Sequence, residues 1–143
     1  MFQGKFTSKP IHLKLGAKGL NFQRADILVH GIDQSGDSFE ARVFLNNPEA
    51  NRETPADPKH GYAGSFSVYG YGVWPEKPGD PPSEPNTIRA PIEKDVIATE
   101  AVRAAAAHSA EVVVTIVPVF PRDPVPDAHD ALKLQGVSIE IHP

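Results

Sequence analysis

The sequence has 143 residues, 18 acidic against 14 basic side chains, and no cysteine. The missing cysteine excludes disulfides, thiolate catalysis and cysteine-ligated zinc, and the scattered basic residues argue against a nucleic-acid partner. No apolar run reaches the roughly 20 residues of a membrane span, and the opening residues MFQGKFTSKP lack the apolar stretch of a signal peptide. We expect one soluble domain over residues 1–143, with its compartment left open.

Period-two alternation predicts the first strands. Apolar residues at 11, 13 and 15 alternate with His12 and Lys14, so we expect a half-buried strand with His12 facing solvent. A second strand is expected over RADILVHGI, residues 24–32, and a third over SFEARVFLNNP. The third strand presents one apolar face, formed by Phe39, Ala41, Val43 and Leu45.

A tyrosine- and glycine-rich stretch follows a polar loop at 48–58. In HGYAGSFSVYGYGVW, Phe66 and Val68 share one face of an extended chain, while Tyr69 and Tyr71 share the other. The stretch is therefore predicted to be a core strand on one face and a candidate contact surface on the other. Gly70 is the position where a bulge would change the direction of Tyr71.

Residues 75–91 contain six prolines, which predicts an extended surface loop, with an SH3-type ligand as the alternative. The one helical candidate follows. Thr99 is the expected N-cap, Glu100 suits the positive end of the helix dipole, and His108 falls in the last turn, where it would cap the C-terminus.

The last two strands complete the fold prediction. EVVVTIVPVF is apolar on both faces, as a central strand would be, and KLQGVSIEIHP directs alternate residues, Val137, Ile139 and Ile141, inward. The pattern predicts an all-β protein, an antiparallel β-sandwich of about seven strands with Greek-key-like connections and one short α-helix.

No complete active site is visible in the sequence. The six histidines stand at 12, 30, 60, 108, 129 and 142, and no two are spaced to share one face of a strand or helix as metal ligands do. Nucleophile-elbow, phosphate-loop and dinucleotide motifs are missing. We therefore expect no catalytic residue, no metal site and no cofactor in this chain.

Three segments resemble a known family. ADILVHGIDQSGDSFEARVFLNNPEANRETP, then HGYAGSFSVYGYG, then ATEAVRAAAAHSAEVVVTIVPV are similar in order and content to the C-terminal β-sandwich of tyrosinases, polyphenol oxidases and molluscan hemocyanins. The similarity covers roughly residues 20–120, and RVFLNNP and GYAGSFSVYGYG are its most specific parts.

The resemblance implies a type 3 copper context. In such proteins a separate helical domain holds two coppers through six histidines, and the sandwich covers the entrance and supplies a blocking side chain. This sequence contains no such helical domain, so no copper ligand carries over to it. The resemblance places Tyr69 or Tyr71 in the segment that supplies the shielding group, although relatives often have other residues between the glycines of Tyr69-Gly70-Tyr71-Gly72.

Three functional hypotheses follow. The first is a non-catalytic domain that covers, stabilises or regulates a type 3 copper catalytic domain, in cis or in trans, without activity of its own. The second is a carbohydrate- or peptide-binding sandwich that uses exposed tyrosines. The third is a purely structural domain. The resemblance favours the first.

Overall fold

The computed structural model describes residues 5–17, 19–32, 39–68, 92–119 and 134–142. Within these ranges there are nine strands, one α-helix and one 3₁₀ turn. The strands are β1 (Phe6–Thr7), β2 (Ile11–His12), β3 (Arg24–Ile32), β4 (Phe39–Leu45), β5 (Tyr62–Val68), β6 (Ile92–Ile97), β7 (Glu111–Val112), β8 (Val114–Val119) and β9 (Gly136–His142). The helix α1 is Thr99–Ala106, and the 3₁₀ turn is Pro58–His60.

The strands form two antiparallel sheets and one short pair. The large sheet has the order β1-β8-β4-β5, the small sheet has the order β6-β3-β9, and β2 pairs with β7. All of these pairings are antiparallel. The predicted all-β sandwich with one short helix is confirmed. The chain passes directly from one sheet to the other between β3 and β4, between β5 and β6, and between β8 and β9. It also changes sheet between β1 and β3, by way of β2, and between β6 and β8, by way of α1 and β7.

The core lies between the inner faces of the two sheets. The predicted apolar face of β4 is buried as expected, and it packs with alternate residues of β3, including Ala25, Ile27 and Val29, which have no exposed surface. The three alternating residues of β9 predicted to point inward are partly buried against the same cluster. Because successive side chains point to opposite faces of a strand, every second residue contributes a side chain to this core.

The outer face of the large sheet is also partly buried, as the apolar β8 sequence predicted. The connection between β4 and β5 folds back over this face, where Ala50 packs on Phe44 and Val117. Lys5 holds the connection in place, since its Nζ donates to the carbonyls of Pro48 and Ala50 at 2.7 and 3.2 Å. Both faces of β8 are therefore covered.

One strand was missed by the sequence analysis, and another is shorter than predicted. β6 pairs with β3 along most of its length, although no strand was expected there. The first predicted strand, over residues 11–15, is regular only at Ile11–His12, yet Leu13 is buried and His12 is exposed, as the alternation predicted.

The helix begins and ends differently from the prediction. Ala98, not Thr99, is the N-cap and makes no side-chain cap hydrogen bond. The Thr99 hydroxyl instead accepts a hydrogen bond from the Ala25 amide of β3 at 3.2 Å. The helix ends at Ala106, so His108 lies beyond its last turn and caps it only through a backbone bond to Ala105.

Among the described residues, no helix has the length and apolar character needed to cross a bilayer.

Candidate functional surfaces

Tyr69 and Tyr71, the residues predicted to form a contact surface, lie outside the described residues, as does the proline-rich segment 75–91. The structure describes β5 up to Val68, immediately before Tyr69. Phe66 and Val68 are buried in the core, whereas Ser67 is exposed. The predicted division of this strand into a core face and an opposite face is thus confirmed for the part that the structure describes.

A β-bulge lies in this strand at a position that the sequence analysis did not identify. The register of β4 and β5 shifts between Val43 and Phe44, next to Gly64, which has φ 147°. The extra residue directs Tyr62 away from the core, so its ring meets Phe44 edge-on at a centroid distance of 5.6 Å. A side chain at Gly64 would also collide with Val96 of the small sheet, at 2.7 Å.

The three direct connections between the sheets, β3–β4, β5–β6 and β8–β9, begin and end at the same end of the sandwich. In the small sheet, Ile32 pairs with Ile92, and in the large sheet Phe39 pairs with Val68. Gly64 of β5 contacts Val96 of β6, which sets the two sheets in the same axial position. We call this the crossover end, defined by Ile32, Phe39, Val68, Ile92, Val119 and Gly136. The opposite end, which carries α1 and the β4–β5 connection, is the helix end.

The outer face of the small sheet carries a bidentate ion pair beside a second carboxyl group. Arg24 donates to Asp26 through Nε at 2.6 Å and through Nη2 at 2.7 Å, and its Nη2 lies 3.7 Å from Asp95. The hydrogen bonds from Arg24 lower the pKa of Asp26, although the burial of this carboxyl opposes the effect. Burial, together with the hydrogen bond to Asp26, raises the pKa of Asp95. The pKa values of the two carboxyl groups are therefore shifted in opposite directions.

The ion pair between Arg24 and Asp26 predicts a specific pH dependence of the protein's stability. Because the pKa of Asp26 is lower in the folded state, its stabilisation is complete above its unfolded pKa of about 3.9 and is lost as the pH falls through the folded value. Asp26→Asn should lower the free energy of unfolding at pH 7 and reduce the loss between pH 7 and pH 3, measured by urea denaturation. Asp95→Asn, the matched control, should raise stability at pH 7 because it removes the like charge. An Asp26→Asn protein with the parent's full pH dependence would contradict this assignment.

A histidine connects the three strands of the same face. His30, on the central strand β3, contacts Glu93 of β6 through Nδ1 at 3.0 Å and Ser138 of β9 through Nε2 at 2.7 Å. Both ring nitrogens are therefore engaged within the sheet. We interpret His30 as a structural residue and not as a ligand.

The histidines that the structure describes do not converge. They lie on β2, on β3, in the 3₁₀ turn, after α1 and at the end of β9, and His129 falls outside the described residues. Within the described ranges, no group of three or more histidine, cysteine, aspartate or glutamate side chains could hold a metal ion. The described residues therefore do not fit a two-copper centre.

Comparison with solved structures finds the same fold in part of a larger enzyme. Latent aurone synthase (polyphenol oxidase) from natural source matches with a TM-score of 0.56 and 18% identity, over 97% of this chain and 24% of that chain. The recombinantly expressed enzyme co-crystallized with hexatungstotellurate(VI) matches with a TM-score of 0.54 and 19% identity, over the same shares. This chain thus spans about a quarter of the length of those structures. No protein-family model and no curated protein matches the sequence.

Proposed function

We propose that this chain is a non-catalytic domain that packs against a type 3 copper catalytic domain of the polyphenol oxidase kind and limits access to it. The observation that carries the proposal is the unequal coverage of the structural match. Nearly all of this chain corresponds to one quarter of latent aurone synthase, which leaves most of that enzyme without a counterpart here. Copper would then belong to the partner domain, linked in cis or supplied in trans.

The crossover end is the surface that suits this contact. β5 ends there at Val68, so Tyr69 and Tyr71 follow directly from a strand whose preceding residues are held in the core. An aromatic ring with a hydroxyl tip can fill an opening that is lined by apolar groups and still hydrogen-bond at its polar end. We propose Tyr69 and Tyr71 as the contact or shielding residues.

The first test of this proposal measures inhibition in trans. A separately prepared polyphenol oxidase catalytic domain is titrated with this chain while oxidation of a simple catechol is followed. We expect activity to fall saturably with chain concentration, and an unrelated β-sandwich of similar net charge serves as the control. Equal activity with both additions would contradict the proposal and favour a binding module or a structural domain.

The second test concerns the isolated chain. Supplied with Cu(II), the purified protein should oxidise catechol no faster than the same concentration of free copper, because the described residues hold no cluster of metal ligands. The measurement is the initial rate of quinone formation. A rate well above the free-copper control would show that the chain has its own active site.

A further inference from the structure

The helix end contains an open cleft that the proposed function does not use. The cleft has a volume of about 390 Å³ and lies between α1 and the connection from β4 to β5. One wall is the helix face that carries Ala101, Ala104 and Ala105, three small residues that share one face because they are three and four positions apart. The cleft exists because these side chains stop at Cβ. Its volume lies in the range of small-molecule sites.

The opposite wall is held rigidly by backbone contacts. Asn46 has the left-handed backbone conformation, with φ 56°. Its backbone amide donates to the Val113 carbonyl at 2.8 Å, and its side-chain Oδ1 accepts from the Val113 amide at 2.9 Å. Asn47 donates to the His60 carbonyl at 2.8 Å. Gly61 has φ 81°, and a side chain there would lie 2.2 Å from the Leu45 carbonyl oxygen. The cleft is therefore formed before any ligand arrives.

Basic side chains line the cleft. Lys59, His60 and His108 line it, and no aspartate or glutamate is among its lining residues, although acidic residues outnumber basic ones in the whole chain. Within the described part of the chain, neither the Lys59 ammonium nor the His108 ring makes a hydrogen bond or ion pair, so both remain available to a ligand.

The carboxylate nearest to these groups along the chain, Asp57, is already engaged. Its Oδ1 contacts His60 Nδ1 at 2.5 Å and accepts a bond from the His60 amide at 3.1 Å. The hydrogen bond from the ring lowers the pKa of Asp57, so this carboxylate stays ionised at neutral pH. The contact fixes the imidazole through Nδ1–H, so the neutral ring presents Nε2 to the cleft as a hydrogen-bond acceptor and not as a donor to an anion.

From this geometry we infer that the cleft binds a small organic carboxylate that carries a compact apolar body. The carboxylate lies against the Lys59 ammonium and the His108 ring, and the apolar body lies on the alanine face of α1. The C-terminal end of the helix carries about half a unit of negative charge, which disfavours an anion. This charge is smaller than the unit positive charge of Lys59. The positive charge of Lys59 therefore makes the cleft favour an anionic ligand.

The test uses cyclohexanecarboxylate as the probe, and binding is followed by NMR titration of the Ala101 and Ala104 signals. We expect saturable shifts at millimolar or lower concentration. The neutral isostere cyclohexanecarboxamide should bind at least tenfold more weakly, and cyclohexylammonium should not shift these signals. Equal affinity for the acid and the amide would overturn the inference, as would the lack of any saturable shift or preferential binding of the ammonium compound.

Variants then locate the site. Ala104 is exposed, so Ala104→Leu should fill the cleft and abolish binding while the remaining spectrum stays unchanged. Lys59→Gln and His108→Gln should each weaken binding of the acid at least threefold without affecting the amide. Lys14→Gln removes one positive charge from an exposed position that does not line the cleft and should leave affinity unchanged. If Ala104→Leu binds as the parent does, or if Lys14→Gln weakens binding as much as Lys59→Gln, the site is wrongly placed.

Discussion

Replacement of Val114 by aspartate is expected to unfold the protein. Val114 has no exposed surface and lies on β8, whose neighbours in the sheet are β1 and β4. An ionised carboxylate at this position has no partner in the surrounding apolar cluster, and such burial costs several kcal/mol against a total stability of about 5–15 kcal/mol. Circular dichroism at 25 °C and a thermal scan would measure the effect.

The matched control is Val113→Asp, one residue earlier. Val113 is only half-buried, so a carboxylate there can reach solvent and should lower the thermal midpoint far less. If Val114→Asp kept the parent's thermal midpoint, the assignment of β8 as a central strand of the large sheet with both faces covered would be wrong.

The second large effect is expected at Phe66. Its side chain is 9% exposed and belongs to the main core cluster, so truncation to alanine should cost about 3–5 kcal/mol through lost burial and the remaining cavity. Chemical denaturation would measure this loss. Because β5 is an edge strand of the large sheet, the cavity can partly collapse, which favours the lower part of that range.

The same experiment distinguishes packing from contact at the tyrosines. Tyr69→Ala and Tyr71→Ala should cost much less stability than Phe66→Ala, and at least one of them should weaken inhibition of a polyphenol oxidase catalytic domain. Each variant is therefore measured twice, by denaturation and by titration of that domain. Two tyrosine variants as unstable as Phe66→Ala that still inhibit fully would show that the rings are ordinary core residues.

The sequence was sufficient to predict the inner faces of the sandwich. Over Phe39–Val43 of β4, buried apolar residues alternate with partly buried charged residues, because one face packs on the core and the other meets a loop or solvent. In β3 the alternation is incomplete, because Asp26 on the outer face is also buried. Phe66 and Val68 were assigned correctly for the same reason as the apolar face of β4, and Val114 was assigned correctly because the run EVVVTIVPVF is apolar on both faces. Patterning of this kind depends only on neighbours within a strand, so it can be identified without knowledge of the fold.

β6 could not be identified in this way because its apolar residues do not share one face. Val96 points into the core, whereas Ile97 points outward and is 62% exposed. Charged residues occupy the three positions between Ile92 and Val96, so neither period two nor an apolar run is visible. The strand forms because it pairs with β3, which is a contact between residues far apart in the sequence.

The helix boundary and the β5 bulge show the same limit. Thr99 has the side chain of a good N-cap, but its hydroxyl bonds to the Ala25 amide, so a tertiary contact replaces the local one. The sequence around Gly64 did not indicate a bulge, yet the bulge beside this glycine directs Tyr62 outward. The cleft was also missed, since Lys59 and His108 come together only when α1 packs beside the β4–β5 connection.

The placement of the three direct sheet crossings at one end has a mechanical consequence. The nine residues of β3 span about 30 Å, so the strands act as a rigid spacer between the partner proposed at the crossover end and the ligand proposed at the helix end. Occupancy at one end should therefore leave affinity at the other unchanged, and the two events should contribute independently to the stability of the domain.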